Sequence, residues 1–337
     1  MTAGEAGRTG AASLEFRHVS KRYGDSTARG AVNDLSFQVP AGAICVLVGP
    51  SGCGKTTSLK MVNRLIEPSA GQIMLEGLDV TTEDVTVLRR RIGYVIQQVG
   101  LFPHLTVGEN VAVVPSLMGW PRPRRLARTD ELLGLVGLDP EEYRGRYPFQ
   151  LSGGERQRVG VARALAVDPP LMLMDEPFAA VDPIARERLQ DEFLRLQREL
   201  AKTILFVTHD VDEAIKMGDL IAVMEEGGRL AQFGSPDEIL ARPASEFVAR
   251  FVGGDRGLKR LSLVTIGDLE LEPTEARAGL PTFEPGTKLR DALSVLLVAD
   301  SRGGVALDEE GRPRGYVTVD AIASALAEVR PNRTVGA

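Results

Sequence analysis

The residues with the clearest chemical role form one glycine-rich stretch. It consists of Gly49, Pro50, Ser51, Gly52, Cys53, Gly54, Lys55 and Thr56, matches G-x-x-x-x-G-K-[ST], and directly follows the apolar run 43–48. A strand that leads into such a loop, with a helix after it, turns backbone N–H groups inward toward the positive end of the helix dipole. The glycines allow close backbone approach, Lys55 reaches the β- and γ-phosphates, and the Thr56 hydroxyl is a Mg²⁺ ligand. The stretch, continued by Thr57, predicts a phosphate cradle.

Polar residues also follow two later apolar runs. Asp175 and Glu176 end the run 171–174, which is apolar on both faces, and His209 follows the run 204–207. Such runs indicate central parallel strands, and open α/β sheets bind ligands at the carboxyl ends of their strands. A lone histidine is usually structural, but one that ends an apolar strand is better placed for a site.

Two more positions are chemically suggestive. From residue 151 the sequence is L-S-G-G-E-R-Q-R, so Ser152 is an N-cap for a helix over 155–167, and Gly153 and Gly154 make that helix start a second anion-binding surface. Tyr23 lies between two predicted strands. It could stack on an adenine ring or be an ordinary strand-end tyrosine, and the sequence alone favours neither.

Composition limits the class of protein. A chain of 337 residues predicts one large domain and a smaller one, and 43% hydrophobic with 26% charged residues is ordinary for a globular protein. The net charge of −6 argues against a general nucleic-acid binder. The two cysteines, Cys45 and Cys53, are too few for a disulfide framework and fit a reducing compartment.

Targeting signals are not evident. Residues 1–12 have no apolar core, so they do not form a signal peptide, and the uncharged stretch 92–108 contains glutamines, a histidine and a proline that argue against a membrane span. We therefore expect a cytosolic chain whose membrane association comes through a partner.

The elements that must hold these residues follow an α/β pattern. Alternation over 14–39 predicts a small antiparallel sheet, and residues 57–65 the helix that carries the phosphate site. Between about 106 and 147, helical segments are broken by prolines and glycines, which indicates a helical insertion. Later signals predict a strand at 72–75, a strand within 89–96, a hairpin over 221–233 and a short helix from Ser235.

In this order the motifs resemble the ATP-binding-cassette (ABC) ATPases over roughly residues 14–251. The resemblance implies an α/β P-loop NTPase fold with a mostly parallel core sheet, an antiparallel β subdomain and a helical subdomain. The implied domains are 14–250 for the ABC ATPase, with the helical subdomain at about 98–160, then a connector over 251–260 and a small α+β domain over 261–330.

The resemblance also assigns roles within an ATP and Mg²⁺ site. Asp175 resembles the Walker B aspartate that holds Mg²⁺ through water, and Glu176 the base that polarises the attacking water. His209 matches the switch histidine that contacts the γ-phosphate. Gln97 matches the Q-loop glutamine, a metal and catalytic-site residue, whereas its neighbour Gln98 does not.

Other residues are implied to act across a dimer. In this family Ser152, Gly153 and Gly154 close over the nucleotide held by a second copy, which gives two sites per head-to-tail dimer. Asp182 matches the D-loop aspartate, although residues 179–181 depart from the usual S-A-L. Tyr23 matches the aromatic residue that stacks on adenine.

Two stretches narrow the resemblance. Residues 92–110 and 255–263 are similar to the ATPase subunits of importers for glycine betaine, carnitine and choline. The implied partners are a second copy, integral-membrane permease subunits, and a substrate-binding protein or domain, with no nucleic acid. The implied location is the inner face of the cell membrane, through the permease.

Residues 281–326 resemble one CBS repeat. The pattern predicts a helix over 289–298, strands over 304–307 and 314–317 joined by a turn at 308–311, and a helix from Thr318. This tail is interpreted either as a regulatory domain or as a dimerisation domain. Within residues 256–337 as a whole, the most evident basic cluster is Arg256, Lys259 and Arg260.

Other functions are compatible with a cassette ATPase. They are a soluble ATPase acting on ribosomes or DNA, an exporter ATPase, and an importer ATPase for another small solute. Soluble cassette proteins usually carry two cassettes or a long coiled-coil insertion, which this chain lacks. For an exporter ATPase, a separate chain that carries a C-terminal regulatory module would be unusual.

Overall fold

The computed structural model describes residues 10–24, 30–97, 100–179, 181–271 and 279–327, so Gln98 and Ala180 lie outside the described residues. The strands are β1 Leu14–Lys21, β2 Val32–Val39, β3 Ile44–Val48, β4 Ala70–Leu75, β5 Leu78–Asp79, β6 Ile92–Val95, β7 Leu171–Asp175, β8 Thr203–Thr208, β9 Leu220–Glu225, β10 Arg229–Gly234, β11 Thr282–Phe283, β12 Gly303–Leu307 and β13 Pro313–Thr318. The helices are α1 Lys55–Val62, α2 Val85–Arg90, α3 Val107–Leu117, α4 Arg122–Leu135, α5 Pro140–Tyr143, α6 Gly153–Ala164, α7 Pro183–Leu200, α8 Val211–Met217, α9 Pro236–Ala241, α10 Glu246–Val252, α11 Arg256–Leu261, α12 Leu289–Val298 and α13 Val319–Ser324.

A six-stranded sheet in the order β10-β9-β3-β8-β7-β6 forms the centre of the fold. The pairs that β3 makes with β8 and β9, and those that β7 makes with β6 and β8, are all parallel. Every residue of β3, β7 and β8 is buried, which explains why these strands appear in the sequence as uninterrupted apolar runs. The carboxyl ends of β3, β7 and β8 lie at one edge, so the polar residues after them meet there.

A second sheet, in the order β2-β1-β4-β5, is antiparallel. Its apolar residues alternate along β1 and β2 and share one hydrophobic core with β3, β7 and β8. Phe16 stacks on Phe37 in that core, with 4.6 Å between the ring centroids. This sheet confirms the antiparallel part of the predicted fold.

Helices α3 to α6 lie between β6 and β7 in the chain, and α3 packs against α4 and α6. Thr106 and Ser152 cap α3 and α6, each with a capping box. The predicted helix ends were less accurate, because α1 ends at Val62, three residues before the predicted end, and α6 ends at Ala164. No helix among the described residues has the length and hydropathy needed to cross a bilayer.

The described chain forms two compact units. The first contains the described residues up to Asp210 and Met217–Phe233, and the second contains Val211–Lys216 and the described residues from Gly234 onward. The predicted end of the ABC ATPase domain at residue 250 and the predicted start of the small α+β domain at residue 261 come from the family resemblance, and they stay predictions.

The second unit contains the three-stranded sheet β11-β12-β13. Strand β11 pairs in parallel with β12, and β12 pairs antiparallel with β13. Helix α12 covers the predicted 289–298, and Thr318 caps α13 as predicted. The order of helix, strand, turn, strand and helix is therefore confirmed, whereas the CBS assignment stays a prediction.

Two members of the basic cluster Arg256, Lys259 and Arg260 are largely buried. The side chains of Lys259 and Arg260 are only 13% and 11% exposed, and each forms ion pairs. Lys259 pairs with Asp212, and Arg260 with Asp237. Carboxylates distant in sequence neutralise two of the three cations, which the charge pattern of the tail alone does not reveal.

Candidate functional site

The phosphate loop joins β3 to α1 in the conformation that its glycines require. Gly49 and Gly54 have φ values of +156° and +95°. A Cβ at Gly49 would overlap the backbone oxygen of Met224, and a Cβ at Gly54 would overlap that of Ala31. The N-cap residue of α1 is Gly54, which has no side chain to cap the first backbone N–H groups of the helix. The loop therefore offers backbone N–H donors to an anion.

Lys55 is drawn into this loop. Its ammonium donates to the carbonyl oxygens of Gly49 and Pro50 at 2.8 and 3.0 Å, and the residue is only 6% exposed. Cys53 is buried behind it, and burial raises the pKa of its thiol. A neutral buried thiol is consistent with a packing role for Cys53 in the loop.

The metal-ligand candidates lie side by side. The Thr56 hydroxyl donates to Asp175 Oδ1 at 2.9 Å, which joins the start of α1 to the end of β7. Burial raises the pKa of the Asp175 carboxyl, against the hydrogen bond from Thr56 and the nearby charge of Lys60. A buried carboxylate beside a hydroxyl is a hard oxygen pair of the kind that Mg²⁺ uses.

Three of the predicted catalytic residues converge on one oxygen. Glu176 Oε2 accepts a hydrogen bond from Gln97 Nε2 at 3.2 Å and lies 3.2 Å from His209 Nδ1. Glu176 has a positive φ of 45°, and its backbone N–H donates to Val207 O at 2.9 Å. The chain thus turns just after β7, and the carboxylate points between Gln97 and His209.

The L-S-G-G-E segment, residues 151–155, forms a separate helix start. Ser152 Oγ accepts from the Glu155 backbone, and the Glu155 carboxylate accepts from the Ser152 backbone at 2.6 Å. A hydrogen bond from the Tyr143 hydroxyl lowers the pKa of Glu155, helped by the backbone of Ser152. Ser152 and Gly153 are exposed, so this N-terminus is open to another molecule.

The two other predicted residues have simple local settings. Asp182 caps α7 by accepting from the Ala185 backbone at 3.0 Å. Tyr23 is half exposed, and the ammonium of Lys21 lies 5.2 Å from its ring centroid. The proposed roles of Asp182 and Tyr23 in nucleotide binding therefore stay predictions.

Sequence reasoning missed several residues around the site. Arg163 on α6 donates to Gly100 O at 2.7 Å, close in the chain to Gln97, and burial lowers its pKa. Burial and, second, the Asp175 carboxylate raise the pKa of Tyr94 to about 12. Arg163 lies between the buried Ala162 and Ala164, and its spacing does not distinguish it from a surface cation. Tyr94 gave no signal, because an aromatic residue in a strand is expected to be core.

The family model described as ABC transporter matches residues 32–179. The osmoprotectant import ATP-binding protein OsmV of Salmonella typhimurium is 52% identical over 288 residues, which are 85% of this chain and 74% of that protein. The chain belongs to the ABC transporter family.

Two further comparisons support this membership. The glycine betaine/carnitine/choline transport ATP-binding protein OpuCA of Bacillus subtilis is 46% identical over 309 residues, 92% of this chain and 79% of that protein. A dimeric, post-hydrolysis structure of the ATP-binding cassette MJ0796 with ADP and Pi is 32% identical, with a TM-score of 0.58, and covers 66% of this chain and 98% of that chain.

These relatives confirm the predicted resemblance to the ATPase subunits of quaternary-amine importers, and the P-loop fold. The chain is an ABC-type ATPase. Among these relatives, the MJ0796 cassette is dimeric, and OsmV is an ATP-binding protein of osmoprotectant import.

Proposed function

We propose that this ABC ATPase binds ATP with Mg²⁺ and hydrolyses it to drive the import of a quaternary-ammonium osmoprotectant. The observation that carries the proposal is the convergence of Gln97 and His209 on Glu176 Oε2, beside the phosphate loop. A carboxylate, an amide and an imidazole at one point are suited to holding and polarising a water molecule.

The loop residues fit a nucleotide triphosphate. The cradle excludes side chains at Gly49 and Gly54, leaves the start of α1 uncovered, and places the ammonium of Lys55 inside its curve. We assign the phosphates to this loop and the adenine ring to Tyr23, whose half-exposed face can stack. The proposed phosphate-binding residues are Gly49, Pro50, Ser51, Gly52, Cys53, Gly54, Lys55, Thr56 and Thr57.

The donor set also fits Mg²⁺ brought by the nucleotide. Thr56, Asp175 and Gln97 supply oxygen atoms, and Mg²⁺ usually takes one or two protein ligands together with phosphate oxygens and water. Among the described residues, no group of three His, Cys, Asp or Glu could hold a metal. The metal, when bound, would neutralise charge on the phosphates.

The protein's own groups account for the remaining chemistry. Glu176 would orient the attacking water and accept its proton, because its carboxylate lies at the meeting point of the other two side chains. His209 would donate to a phosphate oxygen, and Lys55 would leave its carbonyl partners for the phosphates. Phosphoryl transfer depends mainly on placement and charge neutralisation, so these groups suffice.

A second copy would complete each site. The start of α6 is exposed and rich in small residues, so Ser152, Gly153 and Gly154 can approach the nucleotide held by a partner. We assign Asp182, the N-cap of α7, to the same dimer interface from the family resemblance. A head-to-tail pair then has two composite sites by symmetry. The dimeric state of the MJ0796 cassette supports this arrangement.

Import would use partners outside this chain. We infer permease subunits in the membrane, with this chain on their cytoplasmic side, and a substrate-binding protein or domain. The transport roles of the relatives OsmV and OpuCA support an osmoprotectant, glycine betaine, carnitine or choline, as the transported solute.

The test is transport by the complete system in vesicles with labelled glycine betaine, carnitine, choline and, as a control, proline. ATP-dependent uptake of at least one quaternary amine is expected. A matched complex with Glu176→Gln should take up none. Uptake of proline alone, or uptake without ATP, would overturn the proposal.

A further inference from the structure

Helix α11 carries three cations, and two of them, Lys259 and Arg260, are largely buried. Lys259 Nζ donates to Val252 O at 3.0 Å and lies 3.2 Å from Asp212 Oδ1 and 3.3 Å from Asp255 Oδ1. A lysine ammonium has three N–H donors, so three acceptors match its full capacity. The side chain is 13% exposed, so these three protein groups, more than solvent, surround the ammonium.

The neighbouring cation connects α11 to the rest of the second unit. Arg260 Nε pairs with Asp237 Oδ1 at 2.7 Å, and Nη1 donates to Leu326 O at 2.7 Å, just beyond α13. Leu261, the last residue of α11, belongs to the buried core formed with β11, α12 and β13. Helix α11 is therefore fixed to both α9 and the C-terminal sheet.

Asp212 is the residue that gives this arrangement a functional meaning. It lies in the first turn of α8, three residues after His209. Strand β8, which precedes His209, belongs to the first unit, whereas Val211–Lys216 belongs to the second. The chain thus passes from the first unit into the second just after Asp210, one residue beyond His209.

We propose that the Lys259–Asp212 pair holds α8 and through it positions His209, so that the C-terminal unit sets the rate of ATP hydrolysis. Both are positioning residues that act through the backbone of α8. One partner of the pair is largely buried, so salt screens it less than a surface pair. The rate argument rests on the proposed function.

The chain offers a matched control for this pair. Asp255 contacts the same ammonium at a similar distance, but it lies at the start of α11 and not on α8. Asp212→Asn and Asp255→Asn therefore remove equivalent charges from Lys259, and only the first removes one from α8. The experiment compares these variants with Lys259→Met, Lys259→Arg and the double variant Lys259→Met/Asp212→Asn in the full-length protein.

Two measurements are made on each protein: steady-state ATPase kinetics with Mg²⁺, and hydrogen–deuterium exchange of peptides covering residues 208–217 without nucleotide. Asp212→Asn and Lys259→Met should each lower kcat about three- to tenfold with little change in the KM for ATP, since coupling mutations typically act on that scale. Exchange over 208–217 should rise. The double variant should be no worse than either single one, Lys259→Arg should recover most of the rate, and Asp255→Asn should behave as wild type.

Several results would overturn the proposal. They are equal effects of Asp212→Asn and Asp255→Asn, additive losses in the double variant, or faster exchange over 208–217 without a change in kcat. If Lys259→Met does not fold, Asp212→Asn decides, because Asp212 is 73% exposed. A wild-type protein without ATPase activity would instead refute the proposed function, and unchanged exchange in Asp212→Asn would then overturn this proposal separately.

Discussion

Glu176 has a backbone conformation that L-residues rarely adopt. A non-glycine residue with φ of 45° costs about 1–3 kcal/mol, and such residues persist where their surroundings fix them. Here the hydrogen bond from the Glu176 backbone to Val207 O ties the turn to β8. The result is a carboxylate aimed at Gln97 and His209 before any substrate arrives, which is what a base for a positioned water requires.

The replacement Glu176→Gln is expected to lower kcat about 10²- to 10⁴-fold, the usual contribution of a general base, and to preserve ATP binding. The amide keeps the size of the side chain, and Lys55, Thr56 and Asp175 stay in place. Single-turnover hydrolysis measures the loss of rate, and nucleotide titration measures whether ATP binding is preserved. Glu199→Gln, on the exposed end of α7, is the control. Hydrolysis near the wild-type rate would contradict the role of Glu176.

Asp175→Asn should stabilise the nucleotide-free protein at pH 7. Burial raises the pKa of the folded carboxyl above its unfolded value, so the ionised form costs stability above both pKa values, and this cost disappears as pH falls through the folded pKa. The advantage of the asparagine should therefore shrink between pH 7 and pH 4. Urea unfolding followed by Trp120, the chain's one tryptophan, measures it.

Asp79→Asn is the control of opposite sign. Burial raises the pKa of Asp79, but hydrogen bonds from Thr81 and Gln72 outweigh it, and the net pKa is lowered. This variant should lose stability at pH 7 and approach wild type as the pH falls. If both asparagine variants shift stability in the same direction at pH 7, the electrostatic account of Asp175 is wrong.

Helix starts were predicted well because their signals are local. Ser152, Ser235 and Thr318 each accept a hydrogen bond from a backbone N–H three residues later. Helix ends were predicted less well, since α1 and α6 stop three residues early without a breaker at that point. The β-strands around the site were evident from their fully apolar runs, which only central parallel strands need.

What the sequence did not predict depends on residues far apart in the chain. The partner of Lys259 is Asp212, 47 positions away, and that of Arg260 is Asp237. Charge counting cannot identify such pairs, because it treats each cation as exposed. The convergence of Gln97 and His209 on Glu176 was likewise not predicted, since sequence spacing gives no distance between side chains.

The two helix starts that would share a nucleotide can be tested by mixing variants. Equal amounts of Lys55→Ala and Ser152→Arg chains should form mixed dimers in which one site carries both lesions and the other none. Random pairing leaves up to about a quarter of all sites intact, whereas each variant alone has none. ATPase assays of the mixture and of each variant measure the recovery.

The control mixture is Lys55→Ala with Asp175→Asn. Both lesions then lie on the same half of a site, so no mixed dimer has an intact site, and no activity should return. Equal recovery in the two mixtures, or none in the first despite mixed dimers shown by cross-linking, would rule out composite sites.

At the scale of the whole molecule, charge does not explain how the tail could act. Residues 256–337 contain eleven Lys and Arg and twelve Asp and Glu, a balance of −1, so the tail has no strong attraction to an anionic membrane. Lys259 and Arg260 are also consumed by ion pairs within the second unit. The contacts of α11 with α8 and α9 offer another route by which the tail could affect transport.

Two truncations separate the tail from α11. A chain ending at Ser262 keeps Lys259 and Arg260, whereas one ending at Leu258 loses both. With the permease present, the first should keep its basal kcat within about twofold of wild type, and the second should fall about three- to tenfold, as expected when the contact to α8 is lost. Both should lose any dependence of transport on salt, because the sheet β11-β12-β13 is gone. The measurements are ATPase rates and uptake across a series of potassium concentrations, with thermal unfolding as the folding control. If uptake by the chain ending at Ser262 depends on potassium concentration as in wild type, the tail is a structural domain. If both truncations have the same kcat, α11 does not act on His209.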